Sequence, residues 1–598
     1  MEKILVNDVP LDITTNLQAA LLEFRNLIRD LDSTTEIPYL WVDSICLDQS
    51  NEREKLMEIP RMGLIFGQCE RVLAWLGPVG SDEDEAVSEM SAKIKHFDSL
   101  AESSGMTVYQ QIQAYQESKE RSSIAERVRL RATLNDISDR DWFKRVWIIQ
   151  ETTLAAQDPV MLLGPHTFSF GTYFALQLLL NSGDTTCLGT VSRSDTLCHA
   201  IMRISYHLPL TATGEGAESG SPRQRSAFDM LEFMFYTAKL KASVPHDYIY
   251  GLVGLMRHGI IPYELQPRYN ESVEITYYIF TRYILSQTSH LGVLSLGQVG
   301  VLAGVPSWVP DLKNRNPDVG EYEPQSVDMV LIEWSILSVP GIILGRCISA
   351  FPAQKPEDFA VDPPSTFVQC DEAIFAVASR VKRVPPSQIF EEWLNSRLSR
   401  AAQNLPIPSG QDLSNSIRGL VRLYERLVHG EAIDAGELSS AEQTSLSSAE
   451  QLLQQPAFLT WMFSSQLFVL QDGSTGSLPS SAIKAERGDK LCVFPSLNQP
   501  LMIRSVGSNQ QVEVHTAATW PLRWGDEDIH GSYSVSDAAL LGSQGFTGPE
   551  FDCKAKQHRI LGHAVVDSRD RYDEYRDSFL QSSTGRETRH KVDRVYLV

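Results

Sequence analysis

The sequence predicts an α/β domain at the N-terminal end, a mainly α-helical middle and a small β-rich domain at the C-terminal end. Three observations carry this reading. Two near-continuous apolar runs, one of Leu40, Trp41, Val42 and Ile45 and one of Val72 to Leu76, flank a helical segment. That is the pattern of parallel strands covered on both faces. Between residues 82 and 285 the apolar residues recur mostly at helical spacing. After residue 466, short β-like runs alternate with turn residues. The expected divisions are 1–165 for the α/β domain and 166–326 for a helical extension. A hairpin plus helical region with a low-complexity linker takes 327–465, and the β-rich domain 466–598. A chain of 598 residues is too long for one core.

In order, Ile4 to Val6, Asn7-Asp8, then Leu11 and Ile13 read as a hairpin turning at Asn-Asp. An amphipathic helix follows, with Asn16 as N-cap and Leu17, Ala20, Leu21, Phe24, Leu27 and Ile28 on one face. Residues 50–69 are helical in pattern but contain Pro60, which removes a backbone donor and predicts a kink or two short helices. The acidic stretch Ser81 to Glu85 suits the positive end of a helix dipole and opens two or three helices up to about residue 135. Residues 140–156 read as a helix with Trp142, Val146 and Ile149 on one face, and Lys144, Trp147 and Glu151 on another. Pro159 to Gly164 reads as a strand and Phe170 to Leu180 as a helix. The Gly/Ser/Pro-rich stretch from Thr211 to Ser226 is an exposed connection. Helices are expected at 227–241, 246–256 and 271–285, then a hairpin turning at Pro340-Gly341. Residues 371–465 return to helix; there SSAEQ, starting at Ser439 and again at Ser447, marks a solvated helix or linker. The last segment supplies the strand-like runs QLFVL, KLCVF, LMIRSV, VEVHT, RILGHAVV and RVYLV.

A net charge of −22 argues against a broad surface for nucleic acid or anionic lipid, and favours protein or small-molecule partners. The eight cysteines have no CxxC spacing and no zinc-like pairing with histidine, as reduced intracellular thiols would. No run approaches the ~20 apolar residues of a membrane span. The first residues lack the apolar core of a signal peptide. A cytoplasmic location is the resulting expectation.

Two stretches are distinctive. WVDSICLDQ, Glu54-Lys55, Met62 and RVLAWLG resemble the second block of the fungal heterokaryon-incompatibility (HET) domain, which reads W-x-D-A-I-C-I-N-Q, an E-R pair, a Met and a strand ending W-L-G. RDWFKRVWIIQE is similar to its third block, R-x-W-x-x-R-V-W-x-x-Q-E. Asn16-Leu17 with Ala20-Leu21 and Arg25 resembles the helix that precedes the second block. HDYIYGLVGL, PSWVPDL and GDKLCVF are similar to segments that follow the domain in large fungal members. Asp48 stands where Asn is usual and Lys55 where Arg is usual, and no stretch matches the family's opening Y-x-A-L-S-Y-x-W-G block. The resemblance implies self/non-self recognition and cell-death signalling, with protein partners or self-association. It also implies a TIR-like, flavodoxin-like parallel sheet. Without the opening block that sheet lacks an interior strand, which the early hairpin, another chain or sequence upstream of Met1 would supply; otherwise the domain is degenerate, and a non-catalytic scaffold or interaction protein is the alternative.

The distant likeness to TIR domains further implies NAD as a substrate, cleaved between nicotinamide and ribose. Such a step passes through an oxocarbenium-like state that a placed carboxylate stabilises. The resemblance points to Asp43, Asp48, Glu54 and Glu151 as carboxylates, foremost Asp43, Glu54 and Glu151. Trp41 and Trp147 offer stacking faces, and Arg145 a phosphate fork. Cys46, Gln49 and Gln150 complete the two motifs. The plainer readings are that Asp43 caps a loop or pairs with Arg145, that Glu54 offsets a helix dipole, and that Glu151 pairs with Lys144 or Arg145. The tryptophans would then be core. Gly63 and Gly67, four apart on a helix, read as close packing, and His246-Asp247 as a helix start. No metal-ligand set stands out.

Overall fold

The computed structural model describes residues 2–30, 39–104, 124–182, 222–256, 261–315, 327–332, 336–352, 374–401, 411–429, 439–453, 465–479, 483–495, 497, 499–506, 557–563, 565–566 and 592–598. The chain divides into two compact units: residues 1–288 with 311–322 and 400–406, and the remainder. Among the described residues the fold is mixed α/β, with a small mixed sheet near the N-terminus, a helical middle and a large, mostly antiparallel sheet toward the C-terminus.

In the first unit, β1 (Glu2–Val6) and β2 (Val9–Ile13) form the expected hairpin. Asn7 and Asp8 take φ of 50° and 65°, the left-handed pair that a two-residue turn needs. Helix α1 (Thr15–Asp30) buries Ala20 and Phe24. Its cap is Thr14, whose Oγ1 accepts from the Leu17 N–H, and not Asn16. Asn16 instead accepts the Trp75 indole N–H at 3.0 Å.

The largest difference from the sequence reading lies at Leu40–Ile45. Residues 39–42 carry no strand, and α2 (Asp43–Cys46) begins where strand was expected, because the Val42 carbonyl accepts from Ile45 and Cys46 N–H at 3.0 and 2.8 Å. The second apolar run does form a strand, β3 (Leu73–Trp75). Its parallel partner is β4 (Val160–Leu163), which turns back as β5 (His166–Ser169). The described sheet therefore has three strands and one parallel pair, in place of a flavodoxin-like parallel sheet. Ala20 and Phe24 of α1 pack on Leu162, Leu73, Trp75 and Val160.

Between these strands Pro60 splits the helix as expected, into α3 (Glu52–Glu58), a 3-10 turn (Ile59–Arg61) and α4 (Met62–Gln68). Helix α5 (Asp84–Ser104) starts on Asp84 and Glu85 and packs along β5, where Ser91 Oγ donates to the Thr167 carbonyl. Then come α6 (Ile124–Ser138), α7 (Ile148–Thr153) and α8 (Phe170–Ser182). Helices α9 (Pro222–Tyr236), α10 (Asp247–Val253) and α11 (Val273–Thr288) complete the middle. Helix α9 starts at Pro222, inside the stretch expected to be a connection, because proline fits the first helical turn. The rest of that connection, 211–221, lies outside the described residues. Strand β6 (Asp311–Arg315) also belongs to this unit.

In the second unit the expected hairpin at Pro340-Gly341 is absent. Ile336–Phe351 is one continuous strand, and its hairpin partner is the earlier Val330–Ile332. Gly341 is there for close approach: a Cβ would stand 2.9 Å from both Cys492 Sγ and Val595 Cγ2. Residues 337–341 pair with Asp593–Leu597, 342–346 with Lys490–Val493, and 347–351 with Ser465–Leu470. Lys490–Val493 pairs with Leu501–Ser505, which pairs with Gln557–His563, which pairs in parallel with Asp593–Leu597. The five strands thus close into a ring, and the β-rich region reaches back to residue 336. The run VEVHT lies outside the described residues.

Beside that sheet, the helices over 374–382, Pro386–Ala401, Gln411–His429 and Ser440–Leu453 enclose the rings of Phe375, Phe390, Trp393 and Tyr424. The SSAEQ stretch is helix and not linker, and one face of it is buried through Ser445 and Ala449. Cys46, Cys69, Cys347 and Cys492 are free thiols; the other four cysteines lie outside the described residues.

Candidate functional site

The third motif block is not one helix. Asp141–Lys144 forms a 3-10 turn, Arg145 is extended (φ −82°, ψ 139°), and α7 begins at Ile148. The break has a non-local cause. Lys241 donates its N–H to the Lys144 carbonyl at 2.6 Å and accepts from the Val146 N–H at 2.9 Å, making a parallel bridge between Arg145 and Lys241. Trp142, Phe143, Val146, Ile148 and Ile149 go into the core, and the Arg145 side chain stays half exposed.

Glu151, in the first turn of α7, is 12% exposed. Its Oε2 accepts the Trp142 indole N–H at 2.8 Å, and its Oε1 stands 3.8 Å from the Arg145 guanidinium. The latter is an ion pair and too long for a hydrogen bond. Burial pushes the Glu151 carboxyl above its ordinary value; Arg145 and the Trp142 indole pull it down, and nearby Asp43 pushes it up again. Lys144 pairs with Asp141 at 3.3 Å and not with Glu151.

Residues that the sequence places outside the candidate site lie next to it. Asp247, opening α10, accepts the Trp147 indole N–H through Oδ2 at 3.1 Å and the Tyr269 hydroxyl through Oδ1 at 2.6 Å. Burial raises the Asp247 carboxyl and these two hydrogen bonds lower it. Burial and the Asp247 charge hold the Tyr269 proton far above the usual phenol range. Lys55 of α3 lies 5.5 Å from the Tyr269 ring centre. His246 precedes α10 as expected of a helix start, its Nε2 donating to the Glu271 carbonyl at 3.0 Å.

Glycines let the helices meet. The buried Gln150 donates Nε2 to the Gly251 carbonyl at 2.8 Å, and a Cβ on Gly254 would lie 2.7 Å from Gln150 Cδ. A Cβ on Gly251 would meet Val146 Cγ1 at 2.8 Å, and one on Gly63 the Gly254 carbonyl at 3.0 Å. Gly63 thus serves close packing, as the spacing implies, whereas a Cβ on Gly67 would make only an ordinary contact, 3.5 Å from the Leu154 carbonyl. The signal for the α7–α10 contact was present in HDYIYGLVGL: Gly251 and Gly254, three apart, share a helix face.

The remaining motif residues shape the loop that presents Asp43. Gln49 Nε2 donates to the Asp43 carbonyl at 3.2 Å, and the Asp43 carboxylate accepts its neighbour's Ser44 N–H at 2.7 Å. Glu54 Oε1 accepts from the Asp48 N–H at 3.1 Å, and the Glu54 N–H donates to Asn51, the cap of α3. Hydrogen bonds from Ser50 hold the Asp48 carboxyl below its usual range. The Val42 N–H points at exposed Cys46 Sγ at 3.5 Å, and Trp41 meets Phe66 edge-on at 6.2 Å. Arg145 and Glu151 therefore form an ion pair whose acid also feels the charge of Asp43, and the Arg145 charge acts in turn on Asp247, which holds the Trp147 indole. Glu54, Asp48, Gln49, Cys46 and Trp41 build a loop, and Gln150 packs a helix. Among the described residues no group of three His, Cys, Asp or Glu could hold a metal ion.

Because the Glu151 carboxyl is raised, the ionised form costs stability, progressively so as pH climbs from the ordinary value of 4.5 through the raised one. Glu151→Gln keeps an oxygen acceptor for Trp142 without that charge. Its melting temperature is expected to match or exceed the parent's at pH 7.5, with the difference closing below pH 4.5. A variant that gains nothing on the parent between pH 4 and pH 7.5 would contradict the buried-acid geometry.

No solved structure matches the chain. The chain is 24% identical over 348 residues to heterokaryon incompatibility protein 6, OR allele, of Neurospora crassa; the match takes in 52% of this chain and 50% of that one. The chain thus spans about half the length of the curated relative it matches. The family described as Heterokaryon incompatibility protein (HET) matches residues 1–151, which hold both motif blocks and the Asp43, Arg145 and Glu151 cluster. Residues 1–151 match the HET domain, and over about half of its length the chain is similar to heterokaryon incompatibility protein 6.

Proposed function

We propose that the chain acts in fungal vegetative incompatibility, with the HET domain as the effector of a cell-death response triggered by a protein partner or by self-association. The observation that carries this reading is the match of residues 1–151 to the HET family. The likeness to heterokaryon incompatibility protein 6 supports it. Arg145, Glu151 and Asp43 are the working groups in this reading, which the Arg145–Glu151 ion pair and the Asp43 charge acting on Glu151 support. Among the described residues no helix is long and apolar enough to cross a membrane, which is consistent with a cytoplasmic effector.

The test is expression in a fungal host from an inducible promoter. The parent chain is expected to reduce colony viability. Arg145→Ala and Glu151→Gln, expressed to equal levels, are expected to restore it by at least tenfold. Full viability with the parent chain, alone or mixed with an incompatible strain, would sink the reading.

A second reading makes the domain a TIR-like NAD-cleaving hydrolase, favoured by the placement of Glu151. A nearly buried carboxyl beside a half-exposed guanidinium and an exposed carboxylate offers an acid, an anion fork and a stabiliser of positive charge in one place. Release of nicotinamide from NAD by the purified full chain, lost in Glu151→Gln, is the expected result. No release at high protein concentration would leave the domain as a non-catalytic scaffold.

A further inference from the structure

The geometry points to Arg315 as a positioning residue for Arg145: its buried guanidinium fixes the segment after α9 against which the Arg145 backbone is bridged. Arg315 ends β6 and is 9% exposed. Its NH2 donates to the Leu240 carbonyl at 3.2 Å, and its NH1 to Thr237 Oγ1 at 3.2 Å and, at 3.5 Å, to the Met234 carbonyl. These acceptors lie at and just beyond the C-terminal end of α9, where the helix dipole favours a cation. The guanidinium carbon lies 4.5 Å from the Tyr248 ring centre. Asp311, the carboxylate on the same strand, is engaged elsewhere, accepting from Lys313 N–H and Asn314 Nδ2. The buried cation is thus held by carbonyls, a hydroxyl and an aromatic face, an arrangement that suits the planar fork of arginine and not the point charge of lysine.

Two routes lead from it to the site. Leu240 is followed by Lys241, whose N–H and carbonyl hold Lys144 and Val146 and so keep Arg145 extended between them. Tyr248 follows Asp247, which holds the Trp147 indole. Loss of Arg315 frees the end of α9, relaxes the Lys241 bridge, and lets the Arg145 guanidinium leave Glu151.

This rests on Arg145 and Glu151 being the working pair, and the experiment separates the two claims. Labelling the full chain with 15N-tryptophan gives indole signals, of which the Trp142 signal is identified by its loss in Trp142→Phe. Since that indole donates to Glu151, the pH midpoint of its shift reads the Glu151 carboxyl, which faces Arg145, Asp43 and Trp142. Arg145→Met is expected to raise proton affinity there about tenfold. Arg315→Met is expected to do the same, with no further rise in the double variant. A midpoint that moves with Arg145→Met but not with Arg315→Met overturns the positioning role, whatever happens to the melting temperature. One that moves with neither removes the Arg145–Glu151 pairing and the proposal together. Should Arg315→Met fail to fold, Arg315→Lys is read in the same way, because lysine keeps the charge but cannot reach the three acceptors at once.

Discussion

Gly419→Ala is expected to destabilise the helical cluster of the second unit by about 3 kcal/mol, at the upper end of overpacking costs. A Cβ there would overlap the Ser445 carbonyl oxygen and stand 2.6 Å from its carbon and 2.8 Å from Ala449 Cβ. The obstacle is backbone, so no side-chain rotation relieves it. Gln411–His429 and Ser440–Leu453 would have to separate, opening the core around Leu420 and Tyr424. Intrinsic propensity pulls the other way, since alanine in a helix interior is favoured over glycine by about 1 kcal/mol. The sign is therefore decisive. Chemical denaturation followed by circular dichroism should show a lower midpoint; a raised one would mean the two helices do not touch at Gly419.

Asp247→Ala carries the second large effect. It leaves the Trp147 indole N–H and the Tyr269 hydroxyl without their acceptor, at a cost of roughly 1–3 kcal/mol for each group that stays out of water. Asp247→Asn keeps one oxygen for Trp147 and an amide that can donate to Tyr269, so it should lose much less. The pH dependence distinguishes this from generic damage. Burial raises the Asp247 carboxyl above 3.8, so the parent loses stability as pH rises through the raised value. The asparagine variant has no such loss and should gain on the parent between pH 4 and pH 7. Equal pH profiles for parent and Asp247→Asn would show that the carboxyl is not buried as described.

Where local chemistry decides conformation, the sequence was legible. Asn7-Asp8 can take left-handed backbone, Pro60 must break a helix, and Ala20 and Phe24 lie on one face of α1, so these features were readable residue by residue. Where a distant segment decides, it was not. Residues 140–156 have helical periodicity, and only the backbone of Lys241, nearly a hundred residues on, pulls Arg145 out of the helix. Gly341 beside Pro340 carries the local mark of a turn, yet the demand it meets is steric and comes from Cys492 and Val595. At Leu40–Ile45 local bonding displaces the expected strand: the Val42 carbonyl accepts from the Ile45 and Cys46 N–H groups and opens α2. The candidate site divides in the same way. Arg145, Glu151 and Asp43 stand in the HET blocks, whereas Asp247, read in HDYIYGLVGL only as a helix start, and Tyr269 meet each other through the fold.

The ring of strands around Ile336–Phe351 has a consequence for biosynthesis. That strand is completed more than 240 residues before Asp593–Leu597, the neighbour that pairs with its residues 337–341. At translation rates of about 5–20 residues per second, it waits roughly 10–50 s for that partner. During that interval one edge of ILSVPGIILGRCISAF lacks its partner along residues 337–341, and such an edge on an apolar strand is the kind that joins other chains. Pro340, which lacks an N–H to offer, and Arg346, which adds charge, interrupt it at two points. A missing N–H and a charge at those two points disfavour pairing with other chains while the nascent strand waits.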